Sequence, residues 1–483
     1  MNVDVETRFT RRPLRNLVIA AGIGTSVLFI VVGLSSELQM FGDGSIFSYA
    51  VAAQDAWLFH WHNISGRLFT YVFAYIPAET FVALTKNAHG GIFVYGLLFF
   101  SAPMLGLLVT LAADRTASRV VFGYACFSTA CLCPLVFGAP TEMWMAHAVF
   151  WPALALCLCV PTNLRGAAVV FVALLALVFT HEGAIVLSAA ILFALLLRGW
   201  RDAIFVRAIG AFLVVMTVWL IVKMTIRPSD YIAGVLTAAA FKFIDIRDLG
   251  QPAFLSLLAC LAGYSVAVTL FRRANPARAH VYAASACAAA LAVYWLWFDK
   301  WLLTEARYDL RTALLIMTPA FGILAALQTM DQEQRRKSPF PHLPQWAAAI
   351  EKIVNPRIIS GAIVLTMLVH AVETSKFVAA WMNYKAAVRT LAMGTESDPA
   401  LGDSLFVSSK RIGANLNRLA WDSTTPYLSV LVAPDLKPTR LVVDPDAGYF
   451  WLSCKTATQS GQISTAIPAT GRHLIRLYAC LHR

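Results

Sequence analysis

The sequence predicts a polytopic α-helical membrane protein with about eleven transmembrane helices and a small C-terminal α/β extracytoplasmic domain. Three observations predict it. Hydrophobic residues make up 59% of the 483 and charged residues only 14%, where a soluble chain carries roughly a quarter charged residues. The mean hydropathy is +0.66. Apolar runs of roughly 20 residues, each long enough to cross a hydrocarbon core of about 30 Å, recur up to residue 378 and then stop.

The first run, 16–36, follows Arg11, Arg12 and Arg15. No small-residue cleavage site follows closely, so it reads as an uncleaved anchor and first span rather than a signal peptide. Further spans are expected at 91–113, 119–138, 143–160, 166–180, 184–198, 206–226, 252–271, 279–298, 312–329 and 358–378. The segment 68–85 is apolar enough to span but holds Pro77 and Glu79. Counting it as a span changes the side of everything after it, and charge decides. If it does not cross, the inner segments collect Arg8 to Arg15, Arg115, Arg119, Arg165, Arg198, Arg201, Arg207, Arg272, Arg273, Arg278 and Arg335 to Lys337. That is the positive-inside bias, with a cytoplasmic N-terminus. The stretch 45–85 then reads as interfacial or re-entrant helices on the outer face. Ile46, Tyr49, Ala50, Ala53, Trp57 and Trp61 fall at helical spacing there, with Ser48, Gln54 and Asp55 on another side.

Residues 1–378 thus form the membrane domain and 384–483 a soluble domain placed outside. Helical stretches are expected near 385–393 and 412–420, and strands at 427–432, 440–443, 449–452 and 473–478. Pro434, Pro438, Pro445 and Gly448 punctuate them. Cys454 and Cys480 are the only cysteines in this polar tail, and make a disulfide candidate if it is extracytoplasmic. The other seven of the nine cysteines lie in apolar segments as core or lipid-facing thiols. The net charge of +12 sits largely in short loops between spans, so it marks membrane orientation and not nucleic-acid binding. The chain has no Walker loop, dinucleotide fingerprint or GxSxG elbow.

With this orientation most acidic residues of the membrane part fall outside. Asp43, in Phe41-Gly42-Asp43-Gly44, sits on a flexible turn just after the first span. There it can take a proton from an acceptor hydroxyl, or be a solvated turn aspartate. Glu142 follows Pro140-Thr141 at the next outer turn. It is either functional or placed in a helix first turn by the dipole. His181-Glu182 interrupts a long apolar stretch, as a site or as a polar hairpin. His181 and Glu182 are adjacent and cannot share a helix face as i, i+4 ligands do. Lys300, Glu305, Arg307, Asp309 and Arg311 form a fourth group. Arg307 and Arg311 share one side of a helix and suit a phosphate, unless they pair with Glu305 and Asp309. His60-Trp61-His62 is a weak metal pattern, and Asn63-Ile64-Ser65 matches a glycosylation sequon.

This layout resembles the GT-C superfamily of membrane glycosyltransferases, which take a sugar from a polyprenyl-phosphate carrier. Asp43 matches the acidic residue of that family's first outer loop. Glu142 stands where a second acidic residue often follows, with Glu79, His181 and Glu182 as further acceptor-side candidates. Arg307, Arg311 and Lys300 are candidates for the donor phosphate. The first loop carries Gly-Asp-Gly where many members have an acidic pair, which leaves the partner carboxylate and a divalent metal open. The stretch from Asp43 to Arg67 is also similar to that of bacterial enzymes that glycosylate O-antigen or lipid A. The resemblance implies a bacterial inner-membrane enzyme, with a polyprenyl-phosphate-linked sugar as donor and a glycan or glycolipid of the cell envelope as acceptor. Transfer would invert the anomeric centre, with Asp43 as general base. No other cofactor and no nucleic acid is implied. A secondary transporter and a non-catalytic envelope-assembly protein are the alternatives.

Overall fold

The first apolar run folds as the end of one long helix, α1 (Val3–Ser35), whose segment Pro13–Ser35 is long and apolar enough to cross a bilayer. The structure, a computed structural model, describes residues 3–54, 56, 66–132, 142–161, 163–225, 259–298, 311–340, 342, 343, 345, 356–394, 406–417, 419, 420 and 424–443. Among these, 7 helices meet the length and apolarity needed for a membrane crossing. The protein is a helical membrane protein.

After α1 come α2 (Asp43–Ala52), α3 (Leu68–Thr85) and α4 (Ala88–Ala113). Then follow α5 (Val120–Leu132), α6 (Glu142–Cys159), α7 (Leu164–Val178), α8 (Ala184–Leu196) and α9 (Ala203–Thr225). Beyond residue 258 lie α10 (Tyr264–Ala274), α11 (Ala279–Val293), α12 (Arg311–Thr329), α13 (Gln332–Lys337) and α14 (Pro356–Ala392).

Close contacts fix the directions of these helices. A Cβ at Gly106 of α4 would strike the carbonyl of Ala148 of α6, and the Arg115 amide just after α4 reaches Cys159 Sγ at the end of α6. So α4 and α6 run in the same sense. Gly33 of α1 packs on Phe100, and Gly96 packs on Gln39 just past α1, so α1 runs against α4. At one end of the bundle Arg198, after α8, donates to Leu158 O and Thr329 Oγ1, and Arg207 donates to Asn163 O. That end therefore gathers the close of α6, α8 and α12 and the start of α7 and α9. The opposite end gathers the close of α1, α7, α9 and α14. Small residues at these crossings let the backbones approach closely, as bundles in lipid need, where burying apolar surface drives little association. The outward surfaces are apolar: Leu213, Val214, Leu220 and Ile221 of α9 are exposed.

α3 does not traverse the bundle. It begins at Arg67, which contacts Glu142 at the start of α6. It ends with Ala78 and Val82 against Gly91, near the start of α4. Both starts lie at the same end. α2 corrects the expectation of a helix with one apolar face on the membrane surface. Ser45 and Ser48 are buried along with Ile46, Tyr49 and Ala50. The helix is covered on more than one side: Ser48 Oγ donates to Gln39 O at 3.0 Å, and Tyr49 meets Tyr427 of the C-terminal segment, ring centroids 5.4 Å apart.

α14 runs through 37 residues without a break, about 56 Å of helix against a hydrocarbon core of about 30 Å. The helical stretch expected separately at 385–393 is its continuation. Beyond it, β1 (Phe406–Ser408) pairs in parallel with β2 (Leu441–Val443), and the second strand matches expectation. The strand expected at 427–432 is instead a helix, α15 (Thr425–Leu431), with Pro426 in its first turn. A short run buried all round has no periodicity to separate the two states, and the proline favours a helix start. Among the described residues of 412–420, expected as helix, the helical part is a single turn, Ala414–Asn417. Residues 449–452 and 473–478 lie outside the described residues.

Candidate functional site

Four charged side chains from four separate segments meet at the end where α6 begins. Gly66 precedes the first of them at φ +96, and a Cβ there would sit 3.0 Å from Trp219 Nε1 and 3.1 Å from Lys223 Cε. Only glycine takes that conformation and that space without strain. Arg67 then reaches inward. Its Nη1 lies 3.0 Å from Glu142 Oε2, and its Nε and Nη2 each lie 2.9 Å from Glu182 Oε2. Lys223, near the end of α9, lies 2.9 Å from the other oxygen, Glu182 Oε1. Two backbone-directed bonds hold the same corner, from Phe69 N to Phe179 O at 3.0 Å and from Thr70 Oγ1 to Thr180 O at 3.2 Å.

The arrangement satisfies the cost of burying charge, because each cation has a carboxylate and the four sum to zero. Burial opposes ionisation of Glu182, but Arg67, His181 and Lys223 outweigh it and hold its carboxyl well below the usual range. Burial likewise opposes the charge on Arg67, and Glu182 and Glu142 overcome it and raise its pKa. His181 accepts from the Gly183 amide at Nδ1, 2.9 Å, and its Nε2 lies 4.0 Å from Glu182 Oε2.

Asp43 lies at the same end. It opens α2 directly after Gly42, whose φ of 57 and ψ of −133 suit only glycine. It is half-buried, while residues 44–51 are buried. Tyr75 and Tyr95 are stacked with centroids 5.3 Å apart and planes 9° from parallel, and Phe47 of α2 lies 5.7 Å from Tyr75.

Of the acidic candidates, the structure thus brings Glu142 and Glu182 onto one arginine, with His181 beside them and Asp43 at the same end. Glu79 is apart: it accepts from Ala56 N at 2.7 Å and from Tyr71 at 3.4 Å, tying the exit of α2 to α3. Lys300, Arg307, Cys454, Cys480 and the 60–65 motif lie outside the described residues. Arg311 opens α12 one turn before Leu315, which packs against Gly183, so its backbone stands at the Glu182 end. Among the described residues no group of three or more His, Cys, Asp or Glu is arranged to hold a metal. The carboxylates that do converge face Arg67, a donor set that does not fit a divalent cation.

Arg67 and Lys223 were not singled out by sequence reasoning. Lys223 carries a signal, as a charge near the end of a long apolar helix. Arg67 carries only its place before an apolar run. Comparison with protein-family models, with curated proteins and with solved structures finds no match.

Proposed function

We propose that the protein is a membrane glycosyltransferase of the GT-C kind, moving a sugar from a polyprenyl-phosphate carrier to a cell-envelope glycan or glycolipid. The observation that carries this reading is the gathering of Asp43, Glu142, Glu182, Arg67 and Lys223 at one end of an apolar bundle. A transporter instead favours charges near the midplane. The opposite end holds Arg115, Arg119, Arg165, Arg207, Arg272, Arg273, Arg335 and Arg336, which supports a cytoplasmic placement there. On that reading the chain crosses about eleven times, α3 stays on the outer side, and the segment after α14 is periplasmic in a bacterial inner membrane.

In this mechanism Asp43 takes the proton of the acceptor hydroxyl. The oxygen attacks the anomeric carbon, the bond to the carrier phosphate breaks, and polyprenyl phosphate leaves with inversion. A cation at this end, for which Arg307, Arg311 and Lys300 are the candidates, offsets the charge growing on the leaving phosphate. No step runs through a metal. The test is Asp43→Asn, restored to a deletion strain whose envelope glycans and glycolipids are read by mass spectrometry. Loss of a general base lowers transfer by about 10²–10⁴-fold, at unchanged protein level. Undiminished product overturns the assignment.

A further inference from the structure

We propose that Trp381 is a positioning residue for Asp43, holding the loop 36–43 from outside the site. This rests on the reading of Asp43 as the base. The loop is short and has one weak joint. α1 stops at Ser35, Glu37 takes a left-handed conformation at φ 54, and a single turn follows at Leu38–Met40. Phe41 is extended, and Gly42 then turns the chain into α2. A glycine has many other conformations within reach. Ser48 of α2 ties back to the loop through Gln39 O at 3.0 Å, and where the first residue of α2 points depends further on what grips Phe41 and Ser36 from outside.

One face of α14 provides that grip. Residues 377, 381, 384 and 385 recur at the spacing that places side chains on one side of a helix. Trp381 Nε1 donates to Ser36 O at 2.8 Å. The Phe41 ring sits edge-on to Phe377 and Trp381, centroids 5.1 and 5.3 Å away at 85° and 79°. Lys385 Nζ lies 2.6 Å from Glu37 Oε2. Phe377 and Trp381 are fully buried. Among the described residues, Trp381 holds both ends of the loop, its carbonyl start and the ring two residues before Asp43. The same helix continues into the C-terminal segment, where Tyr384 meets Thr425 and Ala392 O accepts from Arg440 N. The loop is therefore fastened to the part of the chain beyond the bundle.

The test combines two readouts on the full-length protein. Hydrogen exchange by mass spectrometry over 37–45 reads the loop itself, without any substrate. Envelope product in the complemented deletion strain reads catalysis. Trp381→Ala is expected to speed exchange over 37–45 at least about ten-fold, with α4 and α6 unchanged, and to lower product about 10–100-fold, as misplacement of a reacting group does. Trp381→Phe keeps a ring against Phe41 and loses only the bond to Ser36 O. It is expected to show intermediate exchange and to retain most product, and it carries the test if the alanine variant does not fold. Unchanged exchange over 37–45, or equal acceleration throughout the bundle, overturns the proposal. Undiminished product in Asp43→Asn removes the base and with it the catalytic role of Trp381, while the exchange result still reports whether the loop is held.

Discussion

Arg67 grips Glu182 through two nitrogens at once, its Nε and Nη2 both 2.9 Å from the same carboxylate oxygen, across 115 positions of chain. The third nitrogen, Nη1, takes Glu142. One guanidinium thereby ties the start of α3, the start of α6 and the α7–α8 turn. An ammonium has neither the fork nor the reach to do this. Arg67→Ala removes the cation that Glu142 and Glu182 share in a buried corner, where Lys223 reaches only Glu182. A destabilisation of about 3–5 kcal/mol is expected, with Arg67→Lys recovering part of it. Thermal unfolding of the detergent-purified protein measures both.

The pH dependence follows from the same group. The Glu182 carboxyl is held well below its usual range by Arg67, His181 and Lys223 against the opposing effect of burial. A lowered folded-state pKa means that the pairing stabilises the protein fully above the unfolded glutamate value, about 4.3. The contribution fades as the pH falls below that value toward the folded one. Glu182→Gln should therefore be clearly less stable than the parent at pH 7. The gap should narrow as the pH is lowered below about 4.3. A gap that is constant from pH 7 to pH 3 contradicts the pairing.

The helical frame is legible in the sequence because each span carries its own signal, an apolar run bounded by charge. Asp43 and Glu142 are legible as span-end carboxylates for the same reason. What joins them is not local. Nothing near Arg67 announces Glu182, since the contact depends on how α3 is laid across the ends of α7 and α9. The cover over α2 is likewise distant in sequence, since Tyr49 meets Tyr427 of α15. The run 427–432 reads equally as strand or helix until its surroundings are known, and Pro426 is the one local hint. The continuity of α14 past the bilayer was hidden because its outer part changes composition without ending the helix.

Crossing glycines give a prediction independent of function. A methyl at Gly106 would press on the Ala148 carbonyl of α6, whereas nothing lies within 4 Å of a Cβ at Gly210. Gly106→Ala has to separate α4 from α6 and should cost about 1–3 kcal/mol. Gly210→Ala should be neutral or gain up to about 1 kcal/mol from helix propensity. Paired thermal midpoints decide it, and equal values for the two variants contradict the packing.

Topology offers the remaining test. The helix Leu68–Thr85 meets the length and apolarity of a membrane span, so composition alone would have it cross. Its contacts argue otherwise. The start is fixed by Arg67 to Glu142 and Glu182, and the end by Val82 and Ala78 to Gly91. Glu142 and Gly91 stand near the starts of two helices that run in the same sense, so both ends of the segment share one side. A periplasmic-activity reporter fused after Lys86 should therefore be active, as should one fused after Ser36, because no crossing separates the two points. A reporter pair that gives opposite sides places a crossing between them, and the outer-face reading of α3 fails with it.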